Sequence, residues 1–142
     1  MNFRSTRWIL ATLFVLLLAA GQLPRYGTAG VLVKDVTISA NDQTTTIDCS
    51  ASSVVVHGED NNLTLRGECK KLKVTGNDNR INAITVNEVE VSGDDNVINV
   101  ETVTTITTTG DDNNISWKSG AGGEPPKIST KGDDNHIRQR GN

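Results

Sequence analysis

The sequence has 142 residues, with 14 Lys and Arg against 17 Asp and Glu and a formal net charge of −3. That length has room for one domain. An acidic balance speaks against nucleic acid and anionic membrane surfaces as partners, because both call for a basic footprint.

Residues 1–29 read as a secretory signal peptide. Arg4 and Arg7 make a positive start, Trp8 to Ala20 is apolar apart from Thr12, and a polar stretch ends in the small residues Gly27-Thr28-Ala29. The apolar run is shorter than the about 20 residues that span a bilayer core. Cleavage after Ala29 is therefore expected, with a cut after Gly21 as the alternative, and no membrane association once the signal is gone. The expected location is the periplasm or the exterior. Cleavage removes Arg4, Arg7 and Arg25 and no acid, taking the 14 basic residues to 11 against 17 acids, a net of −6. It also removes Phe3, Trp8, Phe14 and Tyr26, which leaves Trp117 as the one Phe, Tyr or Trp. Residues 30–142 must then build a core from an array of small branched side chains, with no row of rings to hold sugars or bases.

Val31, Val33, Val36 and Ile38 alternate as a first, capping strand would. Cys49 and Cys69 follow, with no Cys-x-x-Cys in the chain. An oxidising compartment would let them pair. Such a disulfide would contribute roughly 3 kcal/mol on the chain-entropy argument.

From there the chain repeats one four-residue unit: Gly58-Glu59-Asp60-Asn61, Gly76-Asn77-Asp78-Asn79, Gly93-Asp94-Asp95-Asn96, Gly110-Asp111-Asp112-Asn113 and Gly132-Asp133-Asp134-Asn135. The glycines are 18, 17, 17 and 22 residues apart, and Ala40-Asn41-Asp42-Gln43 is a degenerate copy 18 residues earlier. A fixed short period marks a repeat architecture. Leu63, Ile81, Ile98, Ile115 and Ile137 stand five residues after the glycines. Val54, Leu72, Val89, Ile106 and Ile128 stand four before them, and Val56, Val74 and Val91 two before. Polar residues lie between, so both flanks of each unit read as strands.

Two all-β folds suit this pattern. One is a single-domain parallel β-solenoid with coils of about 17–18 residues, in which equivalent residues stack about 4.8 Å apart. The other is an antiparallel β-meander closing into a sandwich or barrel, each unit being a hairpin loop. Lys71 and Glu88 share one column, and Lys73 and Glu90 another, so coil stacking would pair opposite charges. A meander does not place residues 17 apart side by side, and the solenoid is favoured. In it Cys49 and Cys69 fall in adjacent coils and would staple the first to the second. Residues 119–126, Ser-Gly-Ala-Gly-Gly-Glu-Pro-Pro, read as a protruding loop, and Arg138 to Asn142 as a polar tail over the last coil.

The turns hold the candidate site. Asp60, Asp78, Asp95, Asp112 and Asp134 form one column, joined by Glu59, Asp94, Asp111 and Asp133 in the column before. Like charges stacked this closely repel by about 1 kcal/mol per neighbouring pair even in water. Either a Ca2+ ion offsets this with the Asp column as ligands, or the side chains bond their own turns. A solvated turn needs no metal, so the expectation is no cofactor, with Ca2+ the alternative. Asn61, Asn79, Asn96, Asn113 and Asn135 suit the left-handed conformation and an amide ladder, and Gly58, Gly76, Gly93, Gly110 and Gly132 supply any positive φ. His57 and His136 occupy different columns, which does not assemble a nucleophile, base and acid.

With its leader, two cysteines and units such as Val89-Glu90-Val91-Ser92-Gly93-Asp94-Asp95-Asn96-Val97-Ile98, the chain resembles a bacterial family of small exported proteins and lipoproteins, domain of unknown function 3060, over about Val36 to Ile137. The resemblance implies an exported protein and brings no activity. The sequence lacks the lipid-attachment cysteine of the lipoprotein members. The functional expectation is a non-enzymatic structural or binding module of the cell envelope or exterior. A Ca2+-stabilised adhesin-like module is the alternative, and a glycan-acting enzyme the third reading. The expected partner is an envelope component or a protein, with self-association through the solenoid ends as a further route.

Overall fold

The computed structural model describes residues 35–141. The signal peptide, Val31, Val33 and Asn142 lie outside them. Nine strands make one sheet: β1 (Val36–Ile38), β2 (Thr44–Asp48), β3 (Ser53–Val56), β4 (Asn62–Val74), β5 (Arg80–Ser92), β6 (Val97–Thr109), β7 (Asn114–Gly120), β8 (Lys127–Lys131) and β9 (His136–Gln139). Every pairing among them is parallel and joins residues one repeat apart, as in Leu72↔Val89 and Val89↔Ile106. The chain is a parallel β-solenoid of about six turns, and the antiparallel meander is excluded. A hairpin loop reverses the chain; here each Gly-x-Asp-Asn turn instead feeds a strand onto the coil before it.

The burial pattern gives the coil its shape. In β5 the core residues are Ile81, Ala83, Val86, Val89 and Val91. Strict alternation is broken twice, at Ile84–Thr85 and Asn87–Glu88. Two successive side chains outside the core let a strand bend without losing its inward face, and the ladder to β6 skips residues 84 and 87 at those points. With the Gly-x-Asp-Asn turn as the third corner, each coil closes around its own apolar side chains. Stacking turns these into continuous columns such as Leu63–Ile81–Ile98–Ile115–Ile137. Leu63, Ile81, Ile98 and Ile115 are wholly buried, each contributing about 1.5–3 kcal/mol. No coil could bury its inner face alone, so neighbours supply the stability.

The change from an 18- to a 17-residue spacing is absorbed at one place. The register between β4 and β5 shifts between Leu65 and Glu68, where Gly67 takes a φ of +77°, the geometry of a bulge. Beside it Cys49 and Cys69 form a disulfide with 4.9 Å between Cα atoms. It ties the first coil to the second, as the spacing predicts. The 22-residue interval departs from expectation. Ser119 and Gly120 do not belong to the loop but extend β7, opposite Thr102 and Val103. The excursion is a 3-10 turn at Ala121–Gly123 followed by Glu124 to Pro126. Gly120 takes the column of Val86 and Val103, where a Cβ would lie 1.6 Å from the Glu124 carbonyl oxygen as the loop returns.

The asparagines run through the interior of the turn corner as a ladder. Asn96 Oδ1 accepts from the backbone N–H and the Nδ2 of Asn79, both at 3.1 Å. Its own Nδ2 donates to Asn113 Oδ1 in the next coil (3.1 Å), to Gly76 O in the coil before (2.9 Å) and to Asp94 O (3.1 Å). Asn61, Asn79 and Asn113 make the same forward contacts, the last of them to Asn135. The amide carbonyls all point toward the N-terminal coil, so each bond polarises the next.

On the wall, Lys71 meets Glu88 and Lys73 meets Glu90, each at 3.0 Å, and Lys71 also reaches diagonally to Glu90 at 2.6 Å. The Glu90 carboxyl is held below its ordinary 4.5 by the hydrogen bond from Lys71 and then that from Lys73. Lys71 is raised by Glu90 and then Glu88. Glu90 therefore contributes stability that is present above about pH 4.5 and is lost as pH falls through its folded value.

Two predictions follow from these contacts. Asn96→Ala strands the buried Asn79 N–H and Gly76 carbonyl, so urea titration should show a loss of roughly 2–5 kcal/mol, well above that for half-buried Asn135→Ala. Glu90→Gln should lower stability by about 1 kcal/mol or less near neutral pH. The gap between wild type and variant should close as pH falls below about 4.

Candidate functional site

The sequence points to the Gly-x-Asp-Asn edge, where six turns are stacked and each position has one task. Among non-glycine residues of the turns, the left-handed one is the Asp: φ is 55° at Asp42, 56° at Asp60, 57° at Asp78 and Asp95, 56° at Asp112 and 52° at Asp134. The sequence reading gives that role to Asn and Gly, and the structure corrects it. Asn is drawn inward by its ladder, which leaves the bend to the next residue back, and Asp is short and polar enough to take it.

The glycines answer a different need. A Cβ on Gly58, Gly76, Gly93, Gly110 or Gly132 would lie 2.0–2.3 Å from the carbonyl oxygen of the corresponding residue one coil earlier. Only Gly110 and Gly132 also have positive φ, at 125° and 103°. Close approach of the coils is what the column shares.

The residue after each Gly acts as a bracket between coils. Asp111 N–H donates to Asp94 Oδ1 (2.8 Å), Asp133 N–H to Asp111 Oδ1 (2.7 Å), Asp94 N–H to Asn77 Oδ1 (2.9 Å) and Glu59 N–H to Asn41 Oδ1 (2.9 Å). A carboxylate accepting a backbone N–H makes a charge-assisted bond. Asp94 and Asp111 are thereby held by the backbone of the following coil, which supplies an attraction that opposes their repulsion. Sequence columns alone could not show this, because they fix which residues are neighbours and not which atoms face each other.

Asp60, Asp78, Asp95, Asp112 and Asp134 remain exposed, one to each coil. As Ca2+ ligands they would offer carboxylate oxygens from successive turns, with an ion between two coils drawing on two of them and on water. Among the described residues, no group of three or more His, Cys, Asp or Glu is gathered as a metal cage. The histidines are not brought together: His57 Nδ1 lies 2.6 Å from Thr75 Oγ1, while His136 Nδ1 lies 2.9 Å from Asp134 O.

Sequence reasoning misses a polar ladder on the outer wall and a clasp near the C-terminus. Asn99 Nδ2 donates to Asn82 Oδ1 (3.0 Å) and Ser116 Oγ to Asn99 Oδ1 (2.6 Å); their shared column was the available signal. Arg140 reaches back two coils, with Nη2 donating to Val100 O at 3.1 Å and pairing with Glu101 Oε1 at 2.9 Å.

The sequence model of one family matches residues 56–100 and again 82–134, overlapping segments that together run from the second turn to the last and take in more than half the chain. No curated protein and no solved structure matches it. The match begins after Cys49, includes Cys69, and takes in the turns from Gly58 to Asp134. The chain belongs to the family described as Protein of unknown function (DUF3060).

Proposed function

We propose that the chain is an exported, non-enzymatic module of the cell envelope or exterior, serving as a structural element or a binding surface. The observation that carries this reading is how the acidic residues are used. Asp94 and Asp111 accept the backbone N–H groups of the next coil, and the neighbouring Asp column sets the left-handed turn. A carboxylate that holds the same bond in successive coils is part of the wall. Catalysis needs groups whose surroundings set them apart from one another, and these recur alike from turn to turn. Export is supported by the leader pattern of residues 1–29 and by the Cys49–Cys69 disulfide, a bond that persists in oxidising compartments. An envelope component or a protein is the partner this surface suits.

A second reading, Ca2+ stabilisation, is favoured by one feature, the exposed Asp column with about 4.8 Å between coils. A melting experiment separates the two. The module reading expects Tm in Ca2+ to match that in Mg2+ at equal ionic strength and to be unmoved by chelator. A rise specific to Ca2+, reversed by chelator and lost in Asp95→Asn, would establish the second.

For the leading reading, fractionation should recover the protein outside the cytoplasm with Cys49 and Cys69 oxidised. Assays on envelope polysaccharides should show no turnover. Turnover that disappears in Asp95→Asn would overturn the proposal.

A further inference from the structure

The two ends of the solenoid differ in charge and agree in register. Strands β1 and β2 lie at one end and β8 and β9 at the other, each with an edge that no described strand pairs. The first coil, residues 35–48, carries Asp35, Asp42 and Asp48 and neither Lys nor Arg. The last, residues 127–140, carries Lys127, Lys131, Arg138 and Arg140 against Asp133 and Asp134. Like ends repel and unlike ends attract.

The columns fix what each group would meet if the last coil of one copy were followed by the first coil of another. Lys127 is the last member of the column Ser53, Lys71, Glu88, Thr105. Asp35 opens that column, its Oδ1 accepting the Ser53 N–H at 3.0 Å. Inside the chain, a lysine and an acid one coil apart in this column already meet, Lys71 with Glu88 at 3.0 Å. Ile128 is 46% exposed and stands in the column that begins with Val36.

The turn corner continues in the same sense. Each Asn from 61 to 113 donates its backbone N–H forward to the side-chain oxygen of the next coil. Asn135 is the last of them, and Gln43 holds its column in the first coil with an amide oxygen of its own. Asp133 likewise stands where Asp111 stands to Asp133, ready to accept the Asn41 N–H of a following copy.

We propose that copies of this chain associate head to tail. The β8–β9 coil of one stacks in register on the β1–β2 coil of the next, with Lys127 paired to Asp35 and Ile128 covered by Val36. The contact is heterologous and advances along the axis without closing, so it propagates as a linear assembly. This deepens the reading of a structural module by naming a second copy as its partner.

The test is sedimentation velocity on the purified protein across a concentration series at low and high salt. Association should rise with concentration and weaken with salt. Lys127→Glu sets two acids against each other at this pair, and Asp35→Lys sets two lysines against each other. Each alone should associate about tenfold more weakly or worse, and an equimolar mixture should recover association, because both junctions are then complementary. Both sites are exposed, and circular dichroism checks that each variant keeps its strands. A wild type that stays monomeric, association indifferent to either charge reversal, or a mixture that fails to recover it would each overturn the proposal. A monomeric wild type leaves the module reading standing with a different partner, whereas turnover would sink that reading and leave the assembly intact.

Discussion

The structure depends on how closely successive coils approach at the Gly-x-Asp-Asn corner. With a carbonyl oxygen of the previous coil 2.0–2.3 Å from where a Cβ would sit, any larger residue would push the coils apart at that edge. Loss of contact there would also open the asparagine ladder, whose bonds are 3.0–3.1 Å from coil to coil between Asn61 and Asn113. The left-handed Asp then follows from chain geometry. Once Gly is against the previous coil and Asn is inside, the Asp just before the Asn must make the bend within one residue. Four positions that look like a ligand loop in the sequence are one mechanical joint, repeated.

Much of this is legible in the sequence because a solenoid turns sequence spacing into spatial adjacency. Lys71 beside Glu88, the Leu63-to-Ile137 column and the Cys49–Cys69 bridge all follow from counting residues from the glycines. What spacing cannot supply is direction. The diagonal contact of Lys71 with Glu90 depends on the reach of a long side chain, and the Asp94 bond to the Asp111 N–H on which carboxylate oxygen faces the axis. Asn and Asp are also near-isosteric and both tolerate left-handed φ, so composition alone does not say which of them bends and which builds the ladder. The loop starts two residues later than the sequence suggests, for a related reason. Gly120 looks like loop sequence, yet it keeps the strand register and leaves its column free of a side chain where residues 121–126 fold back.

The ends obey different constraints from the middle. A coil such as β5 is held from both sides, whereas a terminal coil has one neighbour and should open first. The two ends are secured differently: Cys49–Cys69 ties the first coil covalently to the second, and Arg140 clasps Glu101 across two coils. Polar residues, Thr45 at one end and Gln139 at the other, replace the apolar ones of their core columns. This limits the sticky area an open edge presents, and the one column shared by Val36 and Ile128 is apolar at both ends.

A wall of identical turns holds little positional information, because whatever one Gly-x-Asp-Asn unit could bind, its neighbours could bind too. Specificity therefore has to come from the places where the columns stop matching. Three are present: the lysine and glutamate block of residues 71, 73, 88 and 90, the excursion at 121–126, and the oppositely charged end coils. The first is largely neutralised by its own ion pairs. The second projects from a rigid wall, the usual setting for a recognition loop, but it is short, and glycines 122 and 123 at its tip have open space around them. The third joins backbone that no described strand pairs, partial apolar exposure and matched charge on one register. Where a repeat ends, its own continuation is the surface that fits it best.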